Sequence, residues 1–242
     1  MNTLFLAWQD SRTRAWYPIG RLDADANMPR YKFKYVKGVQ RSGMRPLESF
    51  PDFKKVYESA DLFPLFQNRV LAADREDFKD YLLLLDMKPE QANPLEILAI
   101  TGGYRQTDNF EVFPKIDRST DGRFKCRFFL HGWRHVNEDS KKMLDTLKSG
   151  EELKVAIELN NPATGLAIQL MTQDYHMIGW SPRYLVIDLV RAINPDFSEI
   201  QARVVKVNPS SAPSNQRVLI ELSGNWPDNY DPMSSEEYQD IT

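Results

Sequence analysis

The sequence predicts an α+β protein, in which a small N-terminal sheet with helices precedes a second, β-rich domain. Three observations support this prediction. The 242 residues suit one large or two small domains. Alternating strands in residues 3–37 give way to a helical period over residues 46–103. A polar, turn-rich stretch at residues 104–124 then separates this first part from a second, β-rich one, so we place a domain boundary near residue 114.

Composition narrows the classes of function. An apolar content of 42% with 12% aromatic residues is that of a globular protein. The net charge of -3 does not favour polyanion binding by the whole chain, so any nucleic-acid role requires a local patch. Cys126 is the one cysteine, which excludes an internal disulfide and favours a reducing compartment. No stretch approaches the roughly 20 apolar residues of a membrane helix, and we expect a cytoplasmic protein without membrane contact.

The N-terminal strands are predicted at 4–8, 15–22 and 31–37, and the third alternates aromatic residues with lysines. Between Arg30 and Arg45 there are six basic residues and no acid. Four of them form a possible basic strip for a phosphate backbone, namely Lys32, Lys34, Lys37 and Arg41. The simpler alternative, which we prefer, is a half-buried strand whose outer face is solvated lysine.

Three helices are predicted between residues 46 and 103. The first covers 61–71, and the second is capped by Asp74 and runs through the four leucines at 82–85, which we assign to a core. The third begins at Asn93-Pro94, an N-cap followed by proline, and ends at Gly102-Gly103.

Residues 3–105 resemble the small N-terminal subdomain of HipA-type Ser/Thr kinases. The likeness rests on the Gly20-Arg21-Leu22 return strand, the Arg45-Pro46-Leu47 turn, and the helices at 65–71 and 94–103. In some toxin–antitoxin systems such a subdomain is a separate protein that restrains the kinase. The resemblance therefore implies a partner kinase, while the kinase body itself is absent because no phosphate loop or catalytic Asp follows Gly103.

The second domain is predicted to contain about six strands and two helices in some 110 residues, which favours a small closed sheet or barrel. Its strands include 124–130, 153–159, 202–207 and 217–222, and its helices 139–147 and 182–193. We divide the chain into modules at 1–114 and 115–227, followed by an acidic, flexible tail at 228–242.

Residues 124–226 resemble the HIRAN domain family. Three pieces carry the likeness: the Gly132-Trp133-Arg134-His135 turn, the turn and strand at 161–168, and the strand-to-helix step at 178–185. The resemblance implies an OB-like six-stranded β-barrel with two helices. It also implies binding of single-stranded DNA, which the best understood members hold at a free 3′ end.

The resemblance also assigns candidate nucleic-acid-binding residues. Arg134 and His135 stand at the family's Arg-aromatic pair near the DNA end, and Asn161 matches a family position. Ala163 and Thr164 stand where the family has an aromatic ring and an Asp that engages the sugar hydroxyl. Because a base stacked on a ring is worth about 1–3 kcal/mol, we do not predict 3′-end specificity.

Three further candidates have structural alternatives. Trp180 supplies a stacking surface if it is exposed, although a core tryptophan is the more common case. Arg183 stands at a helix N-terminus, where a phosphate meets free N–H groups, and the alternative is an ion pair with Asp188. Arg127 belongs to the segment 115–134, which has six basic residues against two acids.

We predict no catalysis, cofactor or metal site. The three histidines lack ligand spacing, and no nucleophile elbow occurs. Two functions remain open. The first is a regulatory protein that restrains a HipA-type kinase as an antitoxin does and also binds nucleic acid. The alternative is an accessory protein of repair or phage defence that binds single-stranded DNA or DNA ends.

Overall fold

The computed structural model describes residues 3–25, 30–192 and 200–241. The chain forms two compact units, each built on one antiparallel sheet, which confirms the mixed α+β class. Unit 1 comprises Met1–Lys79, Pro89–Lys115 and Met233–Thr242. Unit 2 comprises Asp80–Lys88 and Ile116–Pro232.

Unit 1 contains a five-stranded sheet in the order β4-β3-β2-β1-β5. Its strands are β1 (Thr3–Gln9), β2 (Trp16–Ala24), β3 (Tyr31–Tyr35), β4 (Tyr57–Ser59) and β5 (Phe110–Pro114). The alternation predicted for β3 is observed, because Phe33 and Tyr35 are buried while Lys32 is exposed. Phe33 stacks on Phe50 with ring centroids 4.0 Å apart, so the aromatic face of β3 is the centre of the unit 1 core.

Two of the three predicted helices are shorter than predicted, the third has its predicted bounds, and a helix at 38–42 was not predicted. The helices between the strands are α1 (Gly38–Ser42), α2 (Pro64–Gln67), α3 (Phe78–Leu84) and α4 (Pro94–Thr101). Asn93 caps α4 as predicted, since its side chain accepts a hydrogen bond from the Glu96 N–H. Asp74 does not cap α3, which begins four residues later. The helix predicted at 61–71 is the single turn α2, and Arg69, which lies beyond its end, binds the Leu65 and Gly103 carbonyls with its guanidinium.

The end of the chain packs in unit 1. The Tyr238 ring lies 4.8 Å from the Phe5 ring, and Asp240 forms an isolated antiparallel bridge with Val36. The Lys37 N–H donates to the Gln239 carbonyl at 2.8 Å. The stretch from residue 233, predicted as part of a flexible acidic tail, is therefore a packed segment in the structure.

Unit 2 contains a six-stranded sheet in the order β6-β11-β10-β7-β8-β9. The strands are β6 (Arg123–Phe129), β7 (Glu152–Asn161), β8 (Gly165–Met171), β9 (Met177–Trp180), β10 (Gln201–Val207) and β11 (Val218–Asn225). Two helices accompany them, α5 (Glu138–Leu144) and α6 (Arg183–Ala192).

The described strands of this sheet do not close into the predicted barrel. An isolated bridge between His131 and Trp180 joins the chain just beyond β6 to the end of β9. The ladder stops there for two reasons. Gly132 turns into the left-handed region at φ 66° and starts a 3₁₀ turn, and Pro182, which has no N–H, follows β9.

Residues 80–88 belong to unit 2 although both flanking segments belong to unit 1. Leu82 and Leu85 are buried, whereas Leu83 is exposed, so only part of the leucine run is core. The Leu84 carbonyl accepts a hydrogen bond from the Asn208 side chain at 2.9 Å. Within the described ranges the longest helix, α6, has 10 residues, and no helix qualifies as a membrane span.

Candidate nucleic-acid interface

Strands β7, β8 and β9 bring Trp180 and Asn161 together. Trp180 pairs with Gln169 on β8, which pairs with Ala156 on β7. Because alternate residues of a strand share a face, Glu158 lies on the same face as Ala156. The Trp180 indole N–H donates to Glu158 Oε2 at 2.6 Å, and the Asn161 amide donates to the same oxygen at 2.9 Å. Glu158 therefore joins two residues that the sequence analysis selected separately.

The Glu158 carboxylate is held in its charged form. Burial on its own would raise the pKa of Glu158, but hydrogen bonds from Asn161, Trp180 and Gln169 outweigh it and lower the pKa below its ordinary value. Sequence reasoning missed this residue. The available signal was its position on the predicted strand, three residues before Asn161, which begins the turn between two strands.

Asn161 holds the turn between β7 and β8. Its Oδ1 accepts hydrogen bonds from the Ala163 N–H at 3.0 Å and from the Thr164 N–H at 3.1 Å. The Thr164 hydroxyl adds a third, also at 3.1 Å. An Asn that bonds the backbone two and three residues ahead fixes an Asx turn. Asn161 therefore positions Glu158, while Pro162 and Ala163 are exposed at the tip.

Trp180 is half-buried as a residue. Its six-membered ring packs on Gly132, where a Cβ would lie 2.4 Å from Cε3. Two backbone hydrogen bonds with His131, at 2.9 and 3.0 Å, fix the strand beneath it. Gly179 permits this approach, because a Cβ there would lie 2.6 Å from the His131 carbonyl oxygen. The orientation of the indole is thus set by two glycines and one bridge.

Arg183 begins α6 and lies close enough to His131 to affect its charge. Burial first, and then the positive charge of Arg183, lower the pKa of His131 to about 4. The imidazole is therefore neutral at pH 7. Asp188, the acid considered as a partner of Arg183, is buried and accepts a hydrogen bond from the Tyr230 hydroxyl.

Arg134 and His135 are exposed on the 3₁₀ turn that follows Gly132. Arg134 Nη1 donates to the Ser214 hydroxyl at 2.8 Å, and the Trp133 indole donates to the Ser214 carbonyl at 2.7 Å. We call Trp180, Glu158 and Asn161 the Trp180 site. Since Gly132 touches the Trp180 ring, the turn that carries Arg134 and His135 adjoins this site.

Arg127 lies in a different cluster. Its Nε donates to Glu221 Oε2 at 2.9 Å, and its Nη1 contacts Asp86 at 3.2 Å. The thiol of Cys126 lies nearby on the same strand. Burial, together with the charge of Glu221, raises the pKa of Cys126 to about 12, so this thiol is protonated at neutral pH and a poor nucleophile.

The basic strip of unit 1 is paired along its whole length. Each of its four cations contacts one acid: Lys32 with Glu58 at 2.9 Å, Lys34 with Asp240 at 2.6 Å, Lys37 with Glu236 at 3.9 Å, and Arg41 with Glu237 at 3.7 Å. The alternative that we preferred from the sequence, a strand whose outer face is solvated lysine, is therefore incomplete, because these cations also form ion pairs. Three of the acids come from residues 236–240, far outside residues 30–45, over which the sequence analysis counted acids.

In the part of the chain that the structure describes, no group of three or more His, Cys, Asp or Glu side chains is placed to hold a metal ion.

Comparison with known proteins supports one of the two resemblances. The family model described as HIRAN domain matches residues 124–223. That range lies within unit 2 and contains the Trp180 site. It lends no support to the HipA resemblance of residues 3–105, which stays a prediction from sequence.

A search of curated proteins gave no match. Among solved structures, the chain is similar to a crystal structure of a protein from Lactobacillus plantarum. The identity is 18% and the TM-score 0.32, over 43% of this chain and 100% of the other.

Proposed function

We propose that unit 2 binds single-stranded nucleic acid and that the Trp180 site makes the contact with the bases. The observation that carries this proposal is the HIRAN match over residues 124–223. The geometry supports the choice of this site, because the half-buried Trp180 lies beside an ionised carboxylate and adjoins the turn that bears Arg134. On this proposal the protein is an accessory factor of the repair or phage-defence kind.

Three kinds of contact are expected. A base stacks on the accessible part of the Trp180 ring, which is worth about 1–3 kcal/mol. Arg134 and Arg183 neutralise phosphates, and Arg183 does so at the N-terminus of α6. Glu158 accepts a hydrogen bond from a base amino group or a sugar hydroxyl and repels a phosphate placed against it. The His131–Trp180 bridge would let the open sheet serve as an OB-like binding face.

Restraint of a HipA-type kinase has no such support. No contact in the described residues and no comparison favours it, so it stays a sequence-based prediction. Co-purification with a HipA-type kinase is the measurement that checks it.

The test is a fluorescence-anisotropy titration with labelled single strands that end in a 3′-hydroxyl or a 3′-phosphate. Trp180→Ala is expected to weaken binding by about 5- to 150-fold, which is the stacking energy expressed as a ratio. The matched control is Tyr104→Ala, which removes an exposed aromatic ring from unit 1 and should leave the affinity unchanged.

Absence of binding by the unaltered protein at low salt would overturn the proposal. Equal binding of both ends keeps the nucleic-acid role without end recognition. Weaker binding of the 3′-phosphate strand would point to repulsion by Glu158, and Glu158→Gln should then abolish the difference.

A further inference from the structure

A second charged cluster lies on the sheet formed by β6, β11 and β10. Glu221 on β11 pairs with Arg127 on one neighbouring strand and with Arg203 on the other. Two residues along, Ser223 pairs with Lys125 and Gln201. These residues share one face of the sheet because alternate positions of a strand point the same way. We call this surface, with Arg123 at its end, the Glu221 face.

Glu221 gathers three cations. Its side chain is only 4% exposed, and Lys125 Nζ, Arg127 Nε and Arg203 Nε lie 2.8, 2.9 and 2.9 Å from its oxygens. Burial alone would raise the pKa of Glu221, but the three hydrogen bonds outweigh it and lower the pKa to about 2. One negative charge thus faces three positive charges at neutral pH.

The positive charge in excess is accessible. Arg127 makes a second contact, with Asp86. The side chains of Lys125 and Arg203 are 57% and 55% exposed. Three cations therefore meet two carboxylates, Glu221 and Asp86, and one positive charge is in excess. The shared Glu221 carboxylate holds the charged ends of Lys125 and Arg203 close together, with little freedom left to lose on binding.

An open groove of about 710 Å³ adjoins Lys125. Its lining includes Arg118, Arg123, Ser119 and Ser223, together with Asp117. Arg118 and Arg123 contact Asp228 and Asp121, at 3.5 and 3.0 Å. Both acids are well exposed, and exposed pairs contribute about 0–1 kcal/mol, so an anionic ligand displaces them at small cost.

We propose that the Glu221 face is a second contact surface for the nucleic acid, which binds backbone phosphates through Arg123, Lys125 and Arg203. The inference rests on the proposed function and extends it from the bases to the strand. The chain runs from Lys125 on β6 to His131 just beyond it, which bridges Trp180, over roughly 20 Å at about 3.3 Å per residue. A strand near the upper end of the roughly 4–16 nucleotides that single OB-fold domains cover is therefore long enough to reach both surfaces, whereas one near the lower end contacts a single surface.

The test compares oligothymidines of about 4 and about 16 nucleotides by anisotropy at two salt concentrations near 50 and 200 mM. In Arg123→Gln/Lys125→Gln, Glu221 keeps two cations, so the fold should persist. We expect binding of the long oligonucleotide to fall about tenfold or more while binding of the short one changes less than about twofold. The salt slope of the long oligonucleotide should decrease by about 1.4, since each phosphate contact on a single strand contributes about 0.7.

The matched control is Lys141→Gln/Lys142→Gln, which removes the same charge from α5. If Lys125→Gln destabilises the fold, Arg118→Gln/Arg123→Gln makes the same test without touching the Glu221 contacts. An equal loss in the face and control variants, or an unchanged salt slope, would overturn the inference.

The two proposals fail separately. Trp180→Ala tests the base contact with the short oligonucleotide, and the face variants test the phosphate contact with the long one. Loss in Trp180→Ala alone supports the proposed function and rejects the Glu221 face. Loss of binding in the face variants alone supports the Glu221 face and rejects the base contact at Trp180.

Discussion

The basic strip of unit 1, which runs from β3 into α1, and the Glu221 face of unit 2 are both groups of neighbouring cations, but acids neutralise them differently. In the strip each cation has its own acid, three of them supplied by residues 236–240. In the Glu221 face three cations share one buried carboxylate. A count of basic residues along the chain ranks the strip first. The pairing in three dimensions reverses that order, because it decides how much charge a ligand can meet.

The largest effect is expected from Glu221→Gln. Removing a buried carboxylate leaves three cations crowded without their counter-charge, which should lower the free energy of unfolding by about 3 kcal/mol. Urea denaturation followed by circular dichroism measures it. Glu236, which pairs with Lys37 of the strip, has an exposed carboxylate, so Glu236→Gln should lower the free energy of unfolding by less than about 0.5 kcal/mol. Similar losses of unfolding free energy in Glu221→Gln and Glu236→Gln would contradict the difference in pairing between the two regions.

Acid should weaken unit 2 through the same carboxylate. The pKa of Glu221 is lowered to about 2 in the folded protein from 4.5, so its contribution to stability is complete above pH 4.5 and is lost as the pH falls toward 2. The expected loss is about 2 kcal/mol between pH 7 and pH 3. Urea unfolding at several pH values checks this, and Glu221→Gln should lack that part of the pH dependence.

His131 gives a separate window at higher pH. Its pKa is lowered to about 4 from 6.5, so the unfolded chain binds a proton that the folded protein does not, and stability should fall as the pH drops from 6.5 to 4. A loss on the order of 2 kcal/mol is expected. His131→Gln should flatten the stability profile in this window, whereas His135→Gln, on the exposed turn, should leave it in place. A flat profile in the unaltered protein would contradict the prediction.

The smallest effect is expected in the strip itself. Lys34→Gln/Lys37→Gln removes two cations that already have acids, so binding of the long oligonucleotide should change less than about twofold. Anisotropy at low salt measures it beside Arg123→Gln/Lys125→Gln. A loss of affinity as large as that of the face variant would show that cations paired one to one with acids bind phosphates as well as cations that share Glu221.

Local signals made part of the fold predictable. The alternation around Phe33 and Tyr35 identifies β3, and Asn93 before a proline identifies the start of α4. Both features depend on neighbours within a few residues. The role of Arg69 just beyond α2 was not predictable, because its guanidinium binds the Gly103 carbonyl, which lies 34 residues away.

The candidate site was predictable residue by residue but not as an arrangement. Trp180 and Asn161 were identified from turn and strand patterns and from a family resemblance. Glu158, which joins them, was missed because its role depends on the pairing of three strands. Likewise, no window around Lys34 contains Asp240, which is 206 residues away.

The course of the chain between the units has a genetic consequence. Residues 80–88 and 233–242 each belong to a different unit from the segment that precedes them. A gene fragment that begins at residue 116 would encode the HIRAN-matching range without Leu82 and Leu85, both of which are buried. No single crossover in the gene can therefore transfer either unit intact, and any shuffling of this protein must move the two units together.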